Sequence, residues 1–268
     1  MNRLPGTEER MNKRLLLRIG LATVLSLTLT GCLEWLHAYQ TYLQMEEFDR
    51  YFAVTSADDF TVHFKDPKLY SDDFVALAKL QASSEQKTVE GKRWRYLFRK
   101  IDQNDRLVKP EISFYCELVF NREDKVVEWS FSKLFLQIAP PEFLEASFRS
   151  LGGAEINEGK KQLKAKAELI DKVAADLPKK SAVLAQLGQP LEIEQQDERQ
   201  IYAYKFRLDA RDVEEGYEDR TLSEVRLAFD NKSDELVKMS GRFAGLKISI
   251  NYRDLQEDED KQVALAAH

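Results

Sequence analysis

Trp94-Arg95-Tyr96-Leu97-Phe98-Arg99 and Tyr202-Ala203-Tyr204-Lys205-Phe206-Arg207 read as one strand written twice. In each, aromatic side chains take every second position, and residues two apart share a face of a β-strand. Three further pairs flank this match in the same order. Leu80 corresponds to Leu187, Leu118-Val119-Phe120 to Leu227-Ala228-Phe229, and Val126-Val127 to Leu236-Val237. The offset grows by one residue at each anchor, from 107 to 110. Such slips are tolerated in loops, whereas inside a strand one would turn every side chain to the other face. The expectation is an α+β fold, a tandem repeat of two modules, each with helices packed on an antiparallel β-meander.

Working outward, the first module is expected over 53–138 and the second over 159–254, joined at 139–158. Alternation marks strands at Phe60-Val62-Phe64, at Ile112 to Phe120 and at Val127-Trp129-Phe131. Ser71-Asp72-Asp73 offers oxygens to cap a helix from about Phe74 to Leu80. Pro140-Pro141 ends the first module, Glu142 to Leu151 reads as a short helix, and Gly152-Gly153 as its C-cap. Lys160 to Leu177 reads as a longer helix, with Leu163, Ala167, Ile170, Val173 and Leu177 on one face. Ser181 opens another that closes at Gly188, and residues 255–268 are expected to form an acidic tail.

The N-terminus carries a different signal. Asn12-Lys13-Arg14 through Arg18 is basic, Ile19 to Leu29 is an apolar run of eleven residues, and Leu29-Thr30-Gly31-Cys32 follows. Eleven residues suit a signal peptide and fall well short of the roughly twenty that span a bilayer. In that order the segments resemble the lipobox of bacterial lipoproteins, with Met11 as an alternative start. The resemblance implies recognition by signal peptidase at Leu29, Thr30 and Gly31, cleavage before Cys32, and acylation of its thiol. Leu33, in place of an aspartate, resembles outer-membrane rather than inner-membrane sorting. Residues 32–52 hold neither Gly nor Pro, and Leu36, Tyr39, Leu43 and Phe48 sit at helical spacings. This lipid-anchored helix would place Trp35, Tyr39 and Tyr42 at headgroup level, or pack them on the first module.

The second half resembles a known family as well. Ala182-Val183-Leu184-Ala185-Gln186-Leu187-Gly188-Gln189-Pro190, Tyr202-Ala203-Tyr204 and Leu227-Ala228-Phe229-Asp230 are similar to the SmpA/OmlA-type small lipoprotein of the outer-membrane β-barrel assembly machinery. That resemblance implies a helix pair on a three-stranded antiparallel sheet. Two such modules in tandem resemble the proteinaceous β-lactamase inhibitors. The first half lacks the Leu-Gly-x-Pro turn, and no binding motif of the family carries over.

Charge and chemistry narrow the function. Residues 1–31 hold five basic and two acidic side chains, so their removal takes the net charge from −6 to −9. That balance speaks against nucleic acid as a partner. With Cys32 acylated, Cys116 has no partner for a disulfide and reads as a structural thiol. Three histidines occur, and no zinc-protease, paired-cysteine, nucleophile-elbow or phosphate-loop motif appears. Asp58-Asp59, Asp72-Asp73 and Glu214-Glu215 are adjacent acids whose side chains diverge, so they read as caps and loop charges. The sequence therefore points to a non-catalytic, lipid-anchored, periplasm-facing protein of the outer membrane that holds an envelope protein partner. It implies no metal and no cofactor beyond the acyl group on Cys32. Two other readings are a binder of lipid or another apolar small molecule, and a hydrolase of envelope polymers.

Overall fold

The computed structural model describes residues 36–57, 59–157, 162–164 and 172–256. The chain opens with helix α1 (residues 36–44), which runs through a 3-10 turn into α2 (Phe48–Tyr51). Strands β1 (Phe52–Ser56) and β2 (Phe60–Phe64) form a hairpin, followed by α3 (Ser71–Ala78). Then come β3 (Ser84–Thr88), β4 (Gly91–Ile101), β5 (Ser113–Asn121) and β6 (Val126–Phe131). Helices α4 (Lys133–Leu136) and α5 (Pro141–Arg149) lead to a two-stranded ribbon, β7 (Glu155–Asn157) with β8 (Gln162–Lys164). The second half holds α6 (Lys180–Leu187), β9 (Glu192–Gln196), β10 (Arg199–Leu208), β11 (Leu222–Asp230), β12 (Leu236–Phe243), β13 (Leu246–Asn251) and α7 (Tyr252–Leu255).

These strands correct the expected fold class. The molecule is mostly antiparallel β, and nine strands form one curled half-barrel sheet in the order β1-β2-β6-β5-β4-β10-β11-β12-β13. Three of the four sequence matches fall on corresponding strands, and the fourth, Leu80 with Leu187, falls at or just past the end of a helix, but those strands belong to a single sheet instead of two helix-on-meander modules. The cause lies in unequal strand lengths. β3 covers only Gly91–Arg95 of β4, and β9 covers only Arg199–Ala203 of β10. Each long strand is left with half an edge of unpaired N–H and C=O groups, which seek a partner. The two half-edges find each other, with Phe98 opposite Leu208 and Ile101 opposite Lys205.

The core is continuous across that seam. Phe114 of β5 lies 5.0 Å from Phe98, 4.9 Å from Phe206, 5.5 Å from Phe135 and 5.9 Å from Phe243, ring to ring. Five elements from both halves thus meet at one aromatic hub, and aromatic contacts at this range add about 0.5–1.5 kcal/mol each beyond burial. Trp94, Tyr96 and Phe98 face inward as their alternation predicts, while Arg93 and Arg95 point to solvent.

Next to Phe98 in the same inward row stands Lys100, only 4% exposed. Its ammonium donates to the carbonyls of Leu187 (2.5 Å) and Gln189 (2.6 Å), and lies 4.9 Å from the Tyr204 ring centre. Leu187 ends α6, so a cation from the first half closes the negative end of a helix of the second. Burial pulls the Lys100 pKa below the ordinary lysine value.

The expected helix from Lys160 to Leu177 is corrected where it is described. Residues 162–164 are strand β8, and residues 172–179 are not helical, with Val173 bridging Gln256 and Lys179 bridging Glu235. Val173, Ala175 and Leu177 turn toward the core at spacing two while Lys172, Ala174 and Asp176 are exposed. A period of 2.0 overrides the helical reading of the same apolar residues. The acidic tail lies outside the described residues beyond 256. Just before it, Tyr252 is fully buried, donates to the carbonyl of Ile138 and packs 5.2 Å from Phe143.

At Gly152, in the 3-10 turn Ser150–Gly153, an added Cβ would stand 2.3 Å from the Met45 carbonyl oxygen. The absent side chain lets this turn close on the end of the N-terminal helix. Gly152→Ala is expected to cost about 1–3 kcal/mol, checked by urea denaturation. An unchanged midpoint would show that the contact does not hold the helix.

Candidate functional site

Of the residues singled out from the sequence, Leu29, Thr30, Gly31, Cys32 and Trp35 lie outside the described residues. Tyr39 and Tyr42 sit on α1 with rings 6.1 Å apart and nearly parallel. They diverge in role. Tyr42 turns toward the body, its hydroxyl donating to the Ala154 carbonyl at 2.8 Å, while Tyr39 stays 45% exposed.

The rest of α1 divides in the same way. Thr41, Gln44, Met45 and Phe48 are buried, and Gln44 donates to the Asp66 carbonyl at 2.9 Å. His37 Nδ1 lies 2.9 Å from the Asp73 carboxylate, which also accepts from the Tyr70 N–H at 2.7 Å. Asp73 therefore caps the start of α3 and fastens α1 to it. Leu36, Tyr39 and Leu43 remain on the outside. All four apolar residues, Phe48 included, look alike in the sequence, and only packing separates them.

The outer face of the curled sheet carries interleaved charges. Glu117, 8% exposed, sits between Arg95 (2.6 Å) and Arg93 (3.8 Å). Arg99 is held by Glu111 (2.7 Å) and Asp209 (3.1 Å), and these bonds raise its pKa further above the usual value. Directly opposite Arg99 across the seam stands Arg207. Like charges in that position repel, and the carboxylates around Arg99 offset the repulsion. Among the described residues, Arg207 and its neighbour Lys205 pair with no carboxylate. Sequence reasoning missed this junction, because its members lie more than a hundred residues apart. The parity of Arg99 and Arg207 within their alternating stretches was the one available signal.

Among the described residues, the nucleophilic and titratable side chains singled out above stand in the following surroundings. Cys116 faces the interior, and burial pushes its thiol up to about 12, so thiolate is scarce at neutral pH. The Tyr96 hydroxyl is buried without a hydrogen-bond partner, and its pKa is raised by desolvation. His63 bonds Thr55 at 2.9 Å on the outer face, and Glu214 is paired with Lys79 at 3.1 Å. Among the described residues, no three His, Cys, Asp or Glu side chains converge as metal ligands. Two clefts beside the β5–β6 turn are shallow and open, one of them lined by Glu90, Asn121, Arg122 and Glu123. No described helix is long and apolar enough to cross a membrane.

No family model, curated protein or solved structure matches the chain. The reading of function therefore rests on the residues themselves.

Proposed function

We propose that this chain is a lipid-anchored, periplasm-facing interaction protein of the bacterial outer membrane, non-catalytic, that holds an envelope protein against the outer face of its sheet. The order of basic segment, apolar run and Leu29-Thr30-Gly31-Cys32 carries the anchoring half of this reading. Acyl chains contribute roughly 0.8 kcal/mol per buried methylene, so two or three of them fix a protein to a bilayer. A broad, polar sheet face with charges left over at Lys205 and Arg207 supports the binding half, since such a surface favours a charge-complementary partner. Binding of lipid or another apolar small molecule would require an apolar cavity between sheet and helices. Aromatic rings fill that space at the hub around Phe114, so this second reading gains no support.

Two measurements test the proposal. Metabolic labelling with a palmitate analogue is expected to mark the protein, with mass spectrometry locating the acyl group on Cys32. A mature protein bearing an unmodified Cys32 thiol would end the anchoring half. A photo-crosslinking residue at Lys205 is expected to give one dominant adduct in intact envelopes, while the same group at Val89, on the distant β3–β4 turn, gives none. Equal, diffuse labelling from both positions would end the binding half.

A further inference from the structure

Among the described residues, seven large apolar side chains are exposed: Leu36, Tyr39, Leu43, Leu77, Val89, Ile193 and Leu222. Four of them are scattered over α3, the β3–β4 turn, β9 and β11. The other three fall on α1 at i, i+3 and i+7, where 3.6 residues per turn stack them into one stripe. Leu36 is 46% exposed, Tyr39 45% and Leu43 44%. Isolated apolar residues on a surface need no explanation, whereas three aligned on two turns of one helix do.

Position along the chain says what covers them. Leu36 is four residues beyond Cys32, and four residues reach at most about 14 Å when fully extended. If Cys32 carries acyl chains, this end of α1 cannot leave the lipid surface. We propose that the Leu36-Tyr39-Leu43 stripe is a second membrane contact, seated in the lipid interface beside the anchor. The inference rests on the lipid-anchor reading and adds an orientation to it. The buried side of α1 is fastened to the body through His37–Asp73, Tyr42–Ala154 and Gln44–Asp66, so seating the stripe fixes how the whole sheet stands over the bilayer.

The chemistry of the stripe also sets what kind of contact it makes. From Leu36 to Glu47 there is no lysine or arginine, and the exposed residues just past Leu43 are Glu46, Glu47, Asp49 and Arg50, the last paired with Glu47 at 2.9 Å. The one exposed cation there is paired and outnumbered by acids, so apolar burial rather than attraction to anionic headgroups supplies the association. The contact is independent of salt and equally strong on zwitterionic lipid. Its acidic far end stays in water, which leaves α1 dipping at its N-terminal turns.

The protein purified from envelopes as it matures there, reconstituted in phosphatidylcholine vesicles, tests this directly. Single fluorescent labels are placed at Tyr39→Cys, Leu43→Cys and Ile193→Cys, in a Cys116→Ala background. Brominated acyl chains are expected to quench the labels at 39 and 43 several-fold more than the label at 193, equally at low and high salt. Leu36→Gln combined with Leu43→Gln should abolish the quenching at 39. Both side chains are surface groups, so this double variant keeps its fold, and its circular dichroism and urea midpoint confirm that. Vesicle-bound protein whose labels at 39 and 193 behave alike overturns the second contact and leaves the anchor standing. A label at 39 shielded from aqueous iodide yet untouched by brominated lipid overturns it too, since another protein or a second copy then covers the stripe. Protein that does not float with vesicles at all overturns the anchor reading itself.

Discussion

Gly91→Ala is expected to destabilise the protein by about 3–5 kcal/mol. The new Cβ would stand 2.0 Å from the Phe120 carbonyl oxygen and 2.7 Å from the carbonyl carbon and oxygen of Asn121, all backbone atoms of the neighbouring strand. Gly91 also has φ near +151°, a conformation that residues with a Cβ rarely adopt. Relief would require β4 and β5 to separate at the Gly91–Asn121 pair, the first of nine between the longest strand and its neighbour. No side chain can yield in their place. Urea unfolding monitored by tryptophan fluorescence reads the loss, because Trp94 lies three residues away on the same strand. A shift below 1 kcal/mol would mean that the Gly91–Asn121 end of the β4–β5 pair is laxer than its geometry.

Lys100→Met comes next, with an expected cost of about 2–4 kcal/mol. Methionine keeps the apolar stem but leaves the carbonyls of Leu187 and Gln189 without their donor, and an unsatisfied buried acceptor costs about 1–3 kcal/mol. Part of this loss is offset, because the variant no longer takes an ammonium out of water. The pH dependence separates the two terms. The folded pKa lies below the unfolded one, so the unfolded chain binds more protons between those values. The desolvation cost is fully present below the folded pKa and is relieved as pH rises toward the ordinary lysine value of about 10.4. Wild type should therefore gain stability relative to Lys100→Met as pH rises through that window. Parallel stability curves for the two proteins would exclude a desolvated cation at this position.

Strands were readable wherever aromatics alternate, because a half-buried sheet imposes period two on its sequence. Trp94-Tyr96-Phe98, Tyr202-Tyr204-Phe206 and Phe60-Val62-Phe64 all lie on strands with those side chains buried. Two short helices and the Gly188 stop were legible too, but their starts were not: α3 begins at Ser71 instead of Phe74, and α6 at Lys180 with no side-chain cap from Ser181. Joining the halves into one sheet was not legible, because no residue of Phe98–Ile101 announces that its edge lacks a neighbour. Only the lengths of β3 and β9, which begin at Ser84 and Glu192, decide it. Residues 172–177 misled because Val173 and Leu177 satisfy both a four-residue and a two-residue spacing. Ala175 between them was the discriminating residue, and alanine is too small to declare a face.

The candidate surfaces divide along similar lines. Leu29-Thr30-Gly31-Cys32 is a local signal and can be read without a fold. Lys100 could have been placed inside by parity with Phe98, yet a lysine in an apolar row invites the opposite assignment. Which apolar residues of α1 face outward depends on where Asp66, Asp73 and Ala154 stand, and that is tertiary information.

The pairing of Phe98–Ile101 with Lys205–Leu208 also sets a clock on the young protein. These partners are separated by 104 to 110 residues, and a chain emerging at about 5–20 residues per second needs about 5–20 s to deliver the second after the first. Throughout that interval half of the longest strand offers a naked ladder to any passing chain. A helper that grips bare strand edges would find its customer here, early in the life of the molecule and never again once the latecomer strand has docked.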